Sequence, residues 1–169
     1  MCIRDSAIMQ YNGRDIERIP GTGAAGGTGG GMLGLFNTTV RPGIELVLDL
    51  AHGREACAWA DVIITGEGSI DSQTPYGKVP SGIAKLAQSQ GKPTIAIGGT
   101  VTRDPHTIEA LNETGIVATF GIAPGPADLA TLIANTERNV EITCDAIAGT
   151  LRVASATTVT AATSPCESA

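Results

Sequence analysis

The stretch TGEGSIDSQTPYGK, residues 65–78, follows directly on the short apolar run ADVIIT. It gathers two acids, Glu67 and Asp71, and closes on Gly77 and Lys78. Two carboxylates so near in sequence could hold Mg²⁺, or one of them could accept a proton from a hydroxyl. Ser69, Gln73 and Thr74 could orient polar substrate groups, and Gly66 and Gly68 let backbone approach a ligand closely. Lys78, expected on the first turn of the next helix, could neutralise a phosphate together with that helix's N-terminus. The plain alternative is an acidic surface loop with a capping role. Acids and a lysine gathered where a parallel strand ends favour the functional reading, because ligands of such sheets bind beyond the carboxyl ends of the strands.

A second candidate is the glycine-rich run IPGTGAAGGTGGGMLGLF, residues 19–36. Gly21, Gly23, Gly26 and Gly27 could present backbone N–H groups to a carboxylate or phosphate. The run contains GxGxxG from Gly21 to Gly26, but a dinucleotide fingerprint also needs a strand just before it and an acid about 20 residues later. NGRDIERIP is a poor strand, so a dinucleotide-dependent oxidoreductase is disfavoured. No GK[ST] closes a P-loop either. A flexible linker or tight helix packing is the competing reading of these glycines. The two histidines, His52 and His106, fall in or beside helical patterns far from both glycine motifs and read as surface residues, and the lone Trp59 reads as a packing residue.

These candidates need a scaffold, and the apolar pattern supplies one. From residue 60 onward, short β-branched runs alternate with helical patterns. Strands are expected near 61–65, 94–98 and 116–119. VPSGIAKLAQSQG reads as a helix with Ile83, Leu86 and Ala87 on one face and Gly91 just past its end. DPHTIEALNETG reads as another, with Asp104 as N-cap, Pro105 at the first helical position and Gly115 closing it. PADLATLIANTERNVEITCDAIAGTLRVA reads as one long final helix. The alternation predicts an α/β fold with a parallel sheet and crossover helices. Upstream, RPGIELVLDLAHG reads as a helix opened by Pro42 and Gly43. The terminal stretches, residues 1–10 and 158–169, have no periodic apolar face and are expected to be loose.

Composition narrows the function classes. Apolar residues make up 42% of the 169, enough for a core, but aromatics only 3%, so the core must be built from Ala, Val, Ile and Leu. The net charge of −6 leaves no basic surplus to displace counterions, so nucleic acid is not an expected partner. No run approaches the roughly 18 apolar residues of a membrane helix. Cys2, Cys57, Cys144 and Cys166 form no CxxC pair and read as reduced thiols of a cytoplasmic protein without a zinc site.

Four pieces in order, PGTGAAGGTGGG, RPGIELVLD, ADVIITGEGSIDSQTPYGKVPSGIAKLA and KPTIAIGGTV, together resemble the bacterial glycerate kinase family across residues 15–150. The long loop motif is highly specific; the glycine loop alone is less so. The resemblance implies ATP- and Mg²⁺-dependent phosphorylation of glycerate, chiefly to 2-phosphoglycerate. It also implies a Rossmann-like domain made from both chain ends, with a second domain inserted and the active site in the cleft between them. Since family members are more than twice this length, the chain resembles only their C-terminal part. On that basis residues 1–14 are expected to lie outside the family pattern and to be disordered. Residues 15–58 then read as a remnant of the inserted, incomplete domain, 59–154 as the C-terminal part of the Rossmann-like domain with its flanking helices, and 155–169 as a polar tail. Asp71 becomes the first candidate for Mg²⁺ or the glycerate hydroxyl, Glu67 the second, and Lys78 faces phosphate. Which loop takes ATP and which takes glycerate is left open by the residues. The rival class is a non-catalytic ligand-binding or interaction fragment, with self-association through an uncovered sheet edge.

Overall fold

The computed structural model describes residues 3–162. It holds two compact units, one running up to Ala51 and the other starting at His52.

The first unit contains α1 (Ile3–Asn12), α2 (Ala24–Leu35) and α3 (Gly43–Leu50). The expectation of a loose N-terminus fails here, because residues 3–12 are helical and pack on α2. The packing depends on a glycine. A Cβ added at Gly34 would stand 2.6 Å from the Ile8 side chain, so only a bare backbone lets α1 come this close. Ile8 and Ile16 are buried in consequence. Two side chains then tie the connecting segment to the end of α2, whose last carbonyls lack helical partners. Asn12 Nδ2 donates to the Gly34 carbonyl at 2.6 Å, and Arg14 Nη1 donates to the carbonyls of Leu33 and Phe36 at 3.0 and 2.9 Å. The α3 helix begins after Pro42, as its sequence predicts.

The second unit contains α4 (Gly53–Trp59), then β1 (Ile63–Ile70), α5 (Val79–Gln88), β2 (Thr94–Val101), α6 (Pro105–Glu113), β3 (Ile116–Gly121), α7 (Leu129–Ala134) and α8 (Thr136–Ala162). The three strands lie in the order β1-β2-β3 and both pairs are parallel, as the alternation predicted. Ile70, Ala84, Ala96, Leu111 and Ile116 form the buried cluster, with Val101 packed against it. Each fully buried Ile or Leu here contributes about 1.5–3 kcal/mol by leaving water. The alanines Ala84 and Ala87, both fully buried, let α5 lie close on the sheet. Asp104 caps α6 as expected, its carboxylate accepting from the Thr107 backbone N–H at 2.8 Å and from the Thr107 hydroxyl at 2.7 Å. Asp128 does the same for α7 with Thr131.

Several boundaries differ from the sequence reading. The strands β1 and β2 run past their expected ends, because their glycines continue the ladder. Gly66 pairs with Ile97 and Glu67 with Gly98. A Cβ on Gly66 would stand 2.9 Å from the Ile97 carbonyl oxygen, and one on Gly98 would stand 2.8 Å from that of Thr100. These glycines permit close strand packing, which in sequence looks the same as a strand end. The long final helix is two, broken at Asn135, whose backbone leaves the helical region. Helix α8 then continues to Ala162 where a polar tail was expected. Trp59, expected to pack, is 89% exposed. The expectations for residues 1–2 and 163–169, including Cys2 and Cys166, lie outside the described residues. Cys57 and Cys144 are free. Among the described residues no helix is long and apolar enough to cross a membrane.

Candidate active site

Beyond the carboxyl end of β1 the chain turns through Asp71–Lys78 into α5. Thr74, fully buried, organises this turn. Its backbone N–H donates to the Asp71 carbonyl at 3.0 Å, and its hydroxyl accepts from the Asp71 N–H at 3.0 Å. The same hydroxyl donates to Glu67 Oε1 at 2.7 Å. The last strand turn and the first loop residue are thereby clipped together. Lys78 then sits at the N-cap of α5, one position before its expected place on the first turn. Its carbonyl accepts from the Ser81 hydroxyl at 3.0 Å.

The ammonium of Lys78 reaches back over the loop to both acids. It lies 3.1 Å from Asp71 Oδ1, 3.4 Å from Asp71 Oδ2 and 3.5 Å from Glu67 Oε1. The backbone N–H of Gln73 adds a further bond to Asp71 Oδ1 at 2.9 Å. Glu67, Asp71, Thr74 and Lys78 therefore form one cluster, as their spacing suggested. Gln73 joins it through its backbone, with its side chain exposed. The Ser69 hydroxyl accepts from Thr100 on β2 at 2.9 Å and also contributes to lowering the Asp71 carboxyl.

The electrostatics assign different tasks to these groups. The Gln73 N–H, and after it the Lys78 ammonium, hold the Asp71 carboxyl below its ordinary range. The Asp71 hydrogen bond in turn raises Lys78 above its usual value, against an opposing cost of desolvation. A carboxylate held low is a weak proton acceptor and a good partner for a cation. Lys78 remains an ammonium across the physiological range.

These shifts carry a stability prediction. Asp71, Asp104 and Asp128 are all held below the ordinary value of 3.8, the last two by the Thr107 and Thr131 bonds of their helix caps. Each carboxyl binds protons more weakly in the folded chain than in the unfolded one. Its stabilisation is complete above the unfolded pKa and is lost as pH falls through the lower folded value. Thermal melts followed by circular dichroism should show a constant midpoint between pH 6 and 8 and a falling one below about pH 4. A midpoint flat down to about pH 2 would contradict this origin.

Gly66 and Gly68 stand in β1 rather than in a loop, and they floor a cavity of about 480 Å³ on the sheet. Ile97, Ile122, Ile133 and Val140 supply much of its wall, and Glu67 lies on its lining as well as in the polar cluster. Sequence reasoning missed this cavity and one residue on it, Asn139. The available signal was a lone amide on the helix face that also carries Val140 and Ile147. Gly21, Gly23, Gly26 and Gly27 belong to the other unit. There Ala25, Gly26 and Gly27 take left-handed conformations, with φ of 49°, 65° and 93°, which sets the first turn of α2 apart from the helix that follows. Gly26 and Gly27 adopt such a φ freely, but at Ala25 it costs roughly 1–2 kcal/mol, so that one residue holds a shape it does not favour locally.

The fold and the cluster define a parallel α/β protein with a group of charged side chains at the carboxyl end of a strand. The chain belongs to the glycerate kinase family, whose profile matches residues 4–152. The match begins inside α1, so residues 4–14 fall within the family pattern, contrary to the sequence reading. Among curated relatives, the chain is 42% identical over 88% of its length to a glycerate kinase of Bacillus cereus. It is 46% identical over 69% of its length to one of Halalkalibacterium halodurans. It is 38% identical over 64% of its length to a glycerate 2-kinase of Escherichia coli. These alignments cover 38%, 30% and 28% of the respective relatives, so the chain spans well under half of each. A crystal structure described as a glycerate kinase 2 from Salmonella typhimurium LT2 superposes with a TM-score of 0.67 at 35% identity, covering 90% of this chain and 38% of that one.

Proposed function

We propose that this chain carries part of the active site of an ATP-dependent glycerate kinase, which transfers the terminal phosphoryl group to glycerate, chiefly giving 2-phosphoglycerate. The observation that carries the reading is the Glu67–Asp71–Thr74–Lys78 cluster at the end of β1. Phosphoryl transfer asks a protein mainly for alignment and charge neutralisation. Lys78, held protonated and fixed at a helix N-cap, offers positive charge to a phosphate oxygen. Asp71 holds that ammonium in place and stays ionised. Glu67, fixed by the Thr74 hydroxyl, is the acid placed to accept the glycerate hydroxyl proton.

The residues also fit Mg²⁺. That ion takes one or two carboxylates and fills its remaining places with phosphate oxygens and water. Asp71 would hold it, or Glu67 where Asp71 takes the proton instead. When bound, it would neutralise charge on the nucleotide phosphates. Among the described residues no group of three or more His, Cys, Asp and Glu side chains forms a self-contained metal site, which suits an ion delivered with its nucleotide. Gly21, Gly23, Gly26 and Gly27 would offer N–H groups to a carboxylate or phosphate of the substrates. Glycerate and ATP are the partners of this reading, with no role for nucleic acid or a membrane surface.

The test is a chimaera in which residues 4–152 of this chain replace the matching region of a full-length family member. A coupled ADP-release assay should show turnover that depends on glycerate. A folded chimaera that releases ADP with some other acceptor, and not with glycerate, would refute the proposal.

A further inference from the structure

The cavity at the carboxyl ends of β1 and β2 has a chemistry unlike that of the polar cluster beside it. Its walls are aliphatic, contributed by β2, the segment after β3, α7 and α8. Among the described residues Glu67 is the only charged side chain on its lining, and it belongs equally to the cluster. A small hydroxy acid would have to shed its hydration there without a cation to meet its carboxylate, which is costly. A planar, largely apolar group fits better. The volume of about 480 Å³ lies in the range of small-molecule pockets.

Besides Glu67, the polar residues on the lining are Thr100, Thr136 and Asn139, and the two threonine hydroxyls donate to Ser69 and to the Leu132 and Ile133 carbonyls. Asn139, on α8, is only 7% exposed and lines the cavity. Its backbone N–H and carbonyl are used, bonding Asn135 and the Thr143 hydroxyl. Its side-chain amide makes no hydrogen bond with any described residue. The amide is left with its hydrogen-bonding capacity free on the cavity lining. An amide offers a donor and an acceptor side by side, the pair that matches the edge of a purine such as adenine.

We propose that this cavity seats the purine base of the nucleoside triphosphate, with the Asn139 amide bonding the base edge and the Glu67 rim turning the phosphates toward Lys78. The inference rests on the kinase reading and assigns the nucleotide to the β1–β2 end of the sheet. Gly66 and Gly68 form part of the floor, Gly66 being bare because a Cβ there would meet Ile97 across the strand pair. At Gly68 an added Cβ meets nothing within 4 Å, so a side chain there would project into open space without clashing with the fold.

The experiment is methyl NMR on the full chain titrated with adenosine, which carries no phosphate and so reports on the base seat alone. Saturable shifts are expected at Ile97, Ile122 and Val140. Gly68→Leu should weaken adenosine binding at least tenfold by filling the cavity. Asn139→Leu should weaken it about tenfold while leaving the melting temperature unchanged or higher, since an unpartnered amide is removed. A purely structural role for Asn139 would lower the melting temperature instead. Absence of shifts at the three methyls overturns the assignment, as do shifts insensitive to both variants. Should Gly68→Leu fail to fold, Asn139→Leu decides alone. Failure of the kinase reading looks different: adenosine still binds here, but the chimaera shows no glycerate-dependent ADP release.

Discussion

Asp71→Asn, introduced into the glycerate kinase chimaera, is expected to lower turnover by about 10²-fold or more. The substitution keeps the shape of the side chain and its bond from the Gln73 N–H, but removes the charge that holds Lys78. Lys78 would then pair with Glu67 alone, which sits farther from it at 3.5 Å. The ammonium loses its fixed position, and a carboxylate suited to Mg²⁺ is gone. Folding should change little, because Asp71 lies in a loop and packs nothing in the core. The expected signature is therefore a fall in kcat with the melting temperature at pH 7 lowered only slightly. Steady-state kinetics beside a thermal melt would check it. Unchanged turnover would remove Asp71 from the mechanism, and a collapsed melting temperature would make its role structural.

Assayed by itself, the chain is expected to turn over glycerate far below the roughly 1 s⁻¹ that marks the lower end of ordinary kinases. It spans 38% or less of the relatives named above, and a site built between two walls loses alignment when one is missing. Well-oriented positioning can be worth about 7–11 kcal/mol of barrier, so even partial loss is severe. Self-association is expected alongside the low activity. Val117, Ile142 and Val153 are all more than half exposed, and β1 and β3 are open edges of the three-stranded sheet among the described residues. Exposed apolar surface and unpaired strand edges favour contact between copies. Ligand binding at the Gly66–Lys78 stretch can persist, because its hydrogen bonds are local to β1, the turn and α5. A coupled ADP-release assay beside size-exclusion chromatography tests both statements. A monodisperse monomer with glycerate-dependent turnover of about 1 s⁻¹ or more would overturn them.

By itself the sequence determined the parallel α/β order of residues 60 onward, because each strand and helix there buries one face and so carries its own apolar period. Asp104 and Pro105 mark the start of α6 by chemistry confined to four residues, and that start is where they place it. Glu67, Asp71 and Lys78 were legible as a group, since a turn of this length leaves them little choice but to meet. Tertiary structure decided what depends on a partner distant in the chain. Residues 3–12 have no strong helical stripe, and α1 is held by the bare backbone of Gly34 far along the sequence. Gly66 and Gly98 read as strand ends, yet pairing across two strands makes them strand interiors. The amide of Asn139 is an ordinary polar residue of a helix until the fold places it on a cavity lined also by β1, β2 and α7. Local patterns record which face of an element is buried. They do not record what lies opposite, and for α1, the paired glycines and the cavity that opposite surface is the deciding term.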